Sequence, residues 1–225
     1  GDLKVTVDNA LANGTAMDAV QAKVTDAYGN PVNNVTVSFT ADNGAVVTTA
    51  SAVTDASGLA STTLSNTTSG TTNIVAAVNG TNQNVNINFA PDDSTATIIN
   101  GNLVVTQNNA KANGTDSNKV QATVTDANGN RVPNTTVTFA ADNGATVITT
   151  SVTTDAQGLA EAALTNVKAG DTKVTATVNG NSQNVTTTFA ADDSTSTITR
   201  SNFTVTVNNA KADGVDTNTV QAKVT

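Results

Sequence analysis

The sequence predicts an all-β protein in which β-sandwich domains follow one another along the chain. Thr and Asn together supply 75 of the 225 residues, and Thr favours strands, as the abundant Val does, whereas Asn favours turns. The chain also repeats itself, because aligning residues 1–100 with residues 101–200 without a gap gives 57 identities. A period of 100 residues matches a β-sandwich domain and is much longer than the roughly 20–50 residues of solenoid repeats.

The alternation of apolar and polar residues predicts seven strands in each repeat. In the second repeat they are Leu103–Thr106, Lys119–Asp126, Thr135–Ala141, Ala145–Thr149, Gly158–Leu164, Lys173–Val178 and Gln183–Ala190. Asn179 and Gly180 form a two-residue hairpin signal between the last two strands. Seven short strands in about 100 residues predict an immunoglobulin-like (Ig-like) Greek-key sandwich. Such sandwiches in tandem predict an elongated rod.

The same alternation predicts which side chains enter the core of the second repeat. Apolar residues fall on one face of each strand. In the strands Thr135–Ala141 and Lys173–Val178 Thr alternates with them, as in a sheet with one buried and one solvated face. The predicted inward residues are Val120, Ala122, Val124, Val137, Phe139, Ala160, Ala162, Leu164, Val174, Ala176, Val178, Val185 and Phe189, with Thr187 between the last two.

Domain boundaries are predicted at two acidic junctions. Residues 1–91 form the first Ig-like repeat, residues 92–191 the second, and residues 192–225 the truncated start of a third. The junctions contain no Gly-Ser run, so we expect them to restrict the orientation of the domains. The third unit stops after its second strand, and two strands cannot form a sandwich core alone. We therefore expect the parent chain to continue.

The composition excludes several classes of function. The chain has no Cys and no His, which excludes disulfides, zinc sites with Cys or His ligands and a Ser-His-Asp triad. A net charge of −8 with ten scattered basic residues gives no basic patch for nucleic acid. Glu161, the only Glu, has Ser61 at its place in the first repeat, and the Asp residues shared by both repeats lie in turns, which favours a structural role. We predict a non-enzymatic protein without a cofactor.

Two patterns of acidic and amide residues raise the question of calcium. Asp126, Asn128 and Asn130 alternate like the start of an EF-hand loop, but positions six and twelve hold Arg131 and Val137 instead of Gly and Glu. We interpret this segment as a turn in which Asp and Asn bond local backbone and Gly129 adopts positive φ.

The second pattern is a pair of acidic residues at each domain junction. We predict no metal site, and the alternative is calcium bound by Asp92 and Asp93 and by Asp192 and Asp193. Calcium could stiffen a joint, but it takes 6–8 oxygen ligands, and each junction shows only two acids. A solvated acidic linker is the simpler interpretation.

Several spaced motifs resemble the bacterial Ig-like domain, group one, of the intimin and invasin adhesins. Residues 26–32, Asp-Ala-Tyr-Gly-Asn-Pro-Val, precede a strand that ends in Phe39, as in that family. The second repeat departs by one position, with Arg131 in place of the proline and Pro133 two residues later. Residues 54–60 recur as residues 154–160 with one change. The resemblance covers nearly the whole chain.

The resemblance implies a role in a surface adhesin. Members of the family have an outer-membrane barrel, then a run of Ig-like repeats, and many end in a receptor-binding tip. By resemblance, this chain is a stalk that projects such a tip from the bacterial cell surface, and the outer-membrane anchor is a segment not present in this sequence. The partner would be a host-cell or sister-cell surface, reached through the parent protein, and the chain itself is expected to be a monomer.

Two other functions compete with the stalk. In the first, the repeats themselves bind host surface, glycan or sister cells in a biofilm, which an exposed aromatic or apolar patch would favour. Tyr28 is the only Tyr, and Asn128 stands in its place in the second repeat. The second alternative function is that the repeats belong to an S-layer or another envelope protein. The motifs of the adhesin family argue against it.

Overall fold

The computed structural model describes residues 2–225, and its first domain consists of two four-stranded antiparallel sheets. Its eight strands are β1 (Asp2–Val7), β2 (Asp18–Lys23), β3 (Thr36–Ala41), β4 (Val46–Val47), β5 (Ser51–Val53), β6 (Leu59–Ser65), β7 (Gly70–Val78) and β8 (Thr81–Phe89). One sheet has the order β1-β2-β6-β4 and the other β5-β3-β7-β8. The chain therefore changes sheet between β2 and β3, as a Greek-key sandwich requires.

The second domain repeats this arrangement strand for strand. Its strands are β9 (Leu103–Gln107), β10 (Ser117–Thr123), β11 (Thr136–Ala141), β12 (Thr146–Val147), β13 (Ser151–Thr153), β14 (Leu159–Thr165), β15 (Gly170–Val178) and β16 (Asn181–Phe189). The sheets have the orders β12-β14-β10-β9 and β13-β11-β15-β16. The predicted all-β fold of tandem Ig-like sandwiches is confirmed.

Each domain has its own hydrophobic core, formed by the inward faces of its two sheets. The core of the second domain contains every predicted inward residue, with Val185 at its partly buried margin. Thr187 is also fully buried, and its hydroxyl donates a hydrogen bond of 2.7 Å to Asn108 Oδ1. The alternation predicted these residues correctly because consecutive side chains of a strand point to opposite faces.

One strand prediction is wrong. A single strand was expected over Ala145–Thr149, but the structure has two short strands, β12 and β13. Thr146 and Val147 pair with β14, whereas residues 151–153 pair with β11 in the opposite sheet. The chain crosses from one sheet to the other between them, so the hydrogen-bond ladder must break there. Each repeat has eight strands for this reason.

The predicted turn at Asn179 and Gly180 is confirmed. Both residues have positive φ, 47° and 79°, as a type I′ turn requires, and the turn joins the paired strands β15 and β16.

The third unit is a two-stranded hairpin of β17 (Phe203–Val207) and β18 (Thr219–Ala222). All residues of both strands are exposed. Three short 3₁₀ turns complete the structure, at Asp93–Thr95, Asp193–Thr195 and Arg200–Asn202. None of the helical segments in the described part of the chain has the length and apolar character of a membrane span.

Candidate functional site

The junction between the first two domains is a short segment with defined hydrogen bonds. Asp92 caps the 3₁₀ turn of residues 93–95, because its Oδ1 accepts hydrogen bonds from Ser94 N (3.2 Å) and from Ser94 Oγ (2.6 Å). Asp92 N in turn donates to Asp126 Oδ2 at 3.1 Å. Asp92 and Asp126 are both buried, so the start of the linker is fixed against the second domain.

The linker then enters the core of the second domain. Ala96 and Ile98 are almost completely buried and belong to that core. Between them, Thr97 forms an antiparallel bridge with Thr125, with N to O distances of 2.8 and 3.0 Å. The linker is therefore an edge segment of the second sandwich.

The Asn179 side chain also holds the linker against the second domain. Its Nδ2 donates to the carbonyl oxygens of Asp93 (2.9 Å) and Ala96 (3.4 Å). Asn179 thus belongs both to the hairpin turn that the sequence predicted and to the junction, a second role that sequence reasoning missed.

The turn at residues 126–130 has the local geometry that we predicted for it. Asp126 Oδ1 accepts from the backbone N of Asn128 (2.9 Å) and of Asn130 (2.8 Å). Gly129 has a φ of 85°, and nothing surrounds the position where a Cβ would lie.

The same turn also contacts the first domain, which the sequence did not predict. Asn128 Nδ2 donates to Ala12 O at 2.9 Å. Asn130 Nδ2 donates to Thr67 O, and its Oδ1 accepts from Ser69 N, both at 2.9 Å. Three hydrogen bonds therefore cross the joint, and bending there would break them.

The second junction contains a basic residue that the first lacks. Lys111 lies beside Asp192 and Asp193, with Nζ 3.4 Å from Asp192 Oδ1 and still closer to Asp193 Oδ1. The first domain has Leu11 at the position of Lys111.

These contacts shift the pKa values of three side chains, those of Lys111, Asp192 and Asp193. The hydrogen bond and charge of Lys111 lower the pKa of Asp193, and the Ser194 hydroxyl lowers that of Asp192. The pKa of Lys111 is raised by its bonds to Asp193 and then Asp192. All three groups stay charged at neutral pH.

The junction acids do not assemble into a metal-binding cluster. Within residues 2–225, no three acidic side chains converge as potential metal ligands. Asp92 bonds Ser94, and Asp192 and Asp193 face Lys111, so three of the four junction carboxylates already have partners in the protein. The lack of a metal site stays a prediction, and its alternative, calcium at Asp92, Asp93, Asp192 and Asp193, is tested below.

The sequence carried one signal of the buried linker. Thr97 and Ile98 recur as Thr197 and Ile198 inside an otherwise polar segment, and an apolar residue repeated in a linker indicates burial. No comparable signal marked Asn128 or Asn130, because turns favour Asn for local reasons.

Comparison with known proteins places both repeats in one family. The sequence profile of the bacterial Ig-like domain (group 1) matches residues 1–90 and 100–190, leaving the linker between the two matches. The inverse autotransporter adhesin YeeJ of Escherichia coli (strain K12) is 39% identical over 138 residues, which are 58% of this chain and 6% of the adhesin. The chain thus spans a small part of that relative.

Solved structures show the same fold. The crystal structure of invasin, a bacterial integrin-binding protein, is 28% identical, with a TM-score of 0.50, over 97% of this chain and 45% of that chain. InvD of Yersinia pseudotuberculosis is 21% identical, with a TM-score of 0.67, over 94% of this chain and 64% of that chain. At that identity the likeness to InvD concerns the fold alone.

Proposed function

The chain belongs to the bacterial Ig-like domain (group 1) family, and from that premise we propose that its repeats form the stalk of a bacterial surface adhesin. The similarity to the adhesin YeeJ and to the integrin-binding protein invasin supports the adhesin context. The parent protein would be held in the outer membrane by a segment outside this sequence and would project a receptor-binding tip. The repeats themselves would have no enzymatic activity.

The joint between the first two domains is the observation that carries this proposal. The linker is part of the second sandwich through Ala96, Thr97 and Ile98. The turn of the second domain bonds the loops of the first through Asn128 and Asn130. A joint fixed on both sides opposes bending, which is what a spacer needs.

Each domain also resists tension along the rod. The segment after β1 pairs in parallel with the end of β8, with N to O bonds of 3.0 Å from Asn9 to Asn88, 2.9 Å from Ala90 to Ala10 and 2.7 Å from Ala12 to Ala90. Parallel segments at opposite ends of the domain sequence are loaded in shear when the chain ends are pulled apart. All three bonds then share the load, and the domain opens only when they fail together.

Adhesion of coated beads tests the stalk against its main alternative. Beads carrying residues 1–225 are applied to epithelial cells and to each other, with and without calcium, beside beads carrying an unrelated Ig-like rod. A stalk predicts adhesion no greater than that of the control rod. Saturable adhesion above the control would overturn the stalk and make the repeats themselves the binding module.

Force spectroscopy supplies the positive test. Pulling on the two ends of the chain should give two unfolding events of similar contour length, each about 300 Å for some 90 residues at ~3.4 Å per residue. Extension without two discrete events would contradict a load-bearing role.

A further inference from the structure

The chain contains eight Asn-Gly steps, and all of them share one reactive chemistry. The backbone N of the Gly can attack the side-chain amide carbon of the Asn, because Gly has no Cβ to obstruct the approach. Since the second residue is Gly in every step, the folded structure decides which step reacts. The steps begin at Asn13, Asn43, Asn79, Asn100, Asn113, Asn128, Asn143 and Asn179.

Hydrogen bonds hold three of these steps on both residues. Asn13 Oδ1 and Asn113 Oδ1 each accept three hydrogen bonds from the residues that follow. Asn128 Nδ2 donates to Ala12 O across the joint. In each step the attacking backbone N also donates to a backbone carbonyl oxygen at 2.9–3.1 Å, and these are the N atoms of Gly14, Gly114 and Gly129.

Backbone conformation protects four further steps. In the left-handed conformation, with ψ of about +47°, the next backbone N lies almost opposite Cβ across the Cα–C bond. The ring that joins this N to the side-chain carbon can close only after the residue leaves that conformation. The protected residues, with φ between 47° and 54°, are Asn43, Asn79, Asn143 and Asn179.

Asn100 has neither form of protection. Asn102 N donates to Ile99 O at 3.0 Å, and Gly101 has a φ of 87° whereas Asn100 has no positive φ, so these four residues form a type II turn. Asn100 and Gly101 are exposed, and within residues 2–225 nothing bonds the Asn100 side chain or the Gly101 N–H. The peptide unit between them can rotate while the closing bond is kept, since type I and type II turns share that bond.

We propose that Asn100 is the residue of this chain that deamidates first, through a cyclic imide formed with Gly101. Gly101 N gives up its proton to hydroxide and bonds to Asn100 Cγ. The Cγ–Nδ2 bond breaks, and the amide nitrogen takes a proton from water and leaves as ammonia. Water then opens the ring. Addition at the side-chain carbonyl leaves aspartate, and addition at the backbone carbonyl leaves isoaspartate, whose chain continues through the former side chain.

The isoaspartyl product would disturb the joint. Ile98, before the turn, and Leu103, after it, are both buried in the core of the second domain. Asn102 O also accepts a hydrogen bond of 2.8 Å from Thr123 N. Isoaspartate adds one methylene to the backbone between Ile98 and Leu103, so the linker and β9 cannot both keep their places. The modification therefore loosens the linker from the second domain.

Mass spectrometry of the incubated chain tests the site. The intact protein is kept at physiological temperature and mildly alkaline pH and digested in acid, and the Asn, aspartate and isoaspartate forms of each step are quantified. The step at Asn100 should react at least about tenfold faster than every other, because breaking one or two hydrogen bonds first lowers a reactive population about 5–30-fold. The same incubation in urea should bring the rates together.

Two outcomes of that experiment would overturn the proposal. One is another Asn-Gly step that reacts as fast as Asn100 in the folded chain. The other is a lead of Asn100 that persists in urea, because the local sequence and not the fold would then set the rate.

Matched variants test the effect on the joint. Asn100→Gln cannot form the five-membered ring, whereas Asn79→Gln removes another exposed step and should leave the reaction at Asn100 unchanged. After equal incubation, amide exchange in residues 96–103 should be about tenfold faster in the modified wild type and Asn79→Gln than in Asn100→Gln. Fresh Asn100→Asp, which has the new charge on an unlengthened backbone, should exchange like the fresh wild type. Exchange that incubation leaves unchanged, or that is already fast in fresh Asn100→Asp, would overturn the role of the added methylene.

Discussion

Asp18 occupies the buried site in the first domain that Asn118 occupies in the second. Both Oδ1 atoms accept a hydrogen bond of 2.9 Å, from Ala10 N and Ala110 N respectively. Asn118 Nδ2 also donates to Thr188 O at 3.0 Å, whereas Asp18 Oδ2 is buried and has no hydrogen-bond partner among the described residues. An ionised carboxylate cannot donate, so the first domain lacks a bond that the second makes.

Replacing Asp18 with Asn should stabilise the first domain. The variant Asp18→Asn restores a donor to the buried site, and an unsatisfied buried polar group costs about 1–3 kcal/mol. Hydrogen exchange followed by mass spectrometry should show slower exchange in β7 of the first domain, with β15 of the second unchanged. The reciprocal variant, Asn118→Asp, should speed exchange in β15. Faster exchange in β7 of Asp18→Asn would contradict the assignment.

The benefit of Asp18→Asn should depend on pH. Burial, reinforced by the nearby charge of Asp8, raises the pKa of Asp18 although the bond from Ala10 N opposes this. A raised folded pKa means that the folded state binds the proton more tightly, so this contribution to stability is complete below the unfolded pKa of about 3.9 and is lost as pH rises through the folded pKa. Asn does not titrate.

The stability difference between Asp18→Asn and the wild type should therefore be large at neutral pH and shrink as pH falls toward about 4. Urea unfolding at several pH values measures it. A difference that grows on acidification would show that Asp18 is stabilised as the carboxylate.

Residue patterns predicted the cores well and the joint poorly. Val120, Phe139 and Val174 were predicted as core because strand alternation depends only on the local sequence. The separate strand β13 was missed, because a change of sheet between Val147 and Ser151 depends on which partner strands lie nearby.

The contacts of Asn130 with the first domain were also missed, for a different reason. Its bonds to Asp126 are enough to account for Asn in a turn, and Asn30 makes the same local bonds in the first repeat. The contacts with Thr67 and Ser69 arise only when two domains meet. A sequence read one domain at a time contains no such information.

Calcium should not stabilise the chain. A bound ion would raise the melting temperature with ligand concentration, but each junction offers only two carboxylates. Asp92 already bonds Ser94, Asp192 already bonds Ser194 and Lys111, and Asp193 pairs with Lys111. Calorimetry with millimolar calcium or with a chelator should give the same melting temperatures. A saturable rise that disappears in Asp92→Asn, Asp93→Asn or in Asp192→Asn, Asp193→Asn would establish the predicted calcium sites instead.

Substitutions at two glycines of the second domain distinguish the cost of a positive φ from the cost of a Cβ placed too close to neighbouring atoms. Gly129 and Gly158 both have positive φ, 85° and 70°, which costs a residue with a Cβ about 1–2 kcal/mol. A Cβ on Gly129 would meet nothing within 4 Å, whereas one on Gly158 would lie 2.8 Å from Val124 O. Gly158→Ala should therefore destabilise the domain more than Gly129→Ala, by roughly a further 1–3 kcal/mol from overpacking. Equal urea midpoints would contradict the close approach.

Removing the two amides of the joint should make the rod bend. The double variant Asn128→Ala, Asn130→Ala loses three hydrogen bonds between the domains, each worth about 1 kcal/mol net. Distances between spin labels on cysteines introduced at exposed sites, one in each domain, should broaden, and small-angle scattering should give a shorter mean length.

The first repeat provides the control for this last prediction. Asn30→Ala removes the bond to Asp26 Oδ2, as Asn130→Ala removes the bond to Asp126 Oδ2, but Asn30 makes no contact across the joint. The distribution of distances between the spin labels in the Asn30→Ala variant should therefore match that of the wild type. If Asn30→Ala broadens the distribution equally, the turn acts through local folding and the bonds across the joint do not set its stiffness; if neither variant broadens it, the buried linker with Ile98 alone holds the domains in line.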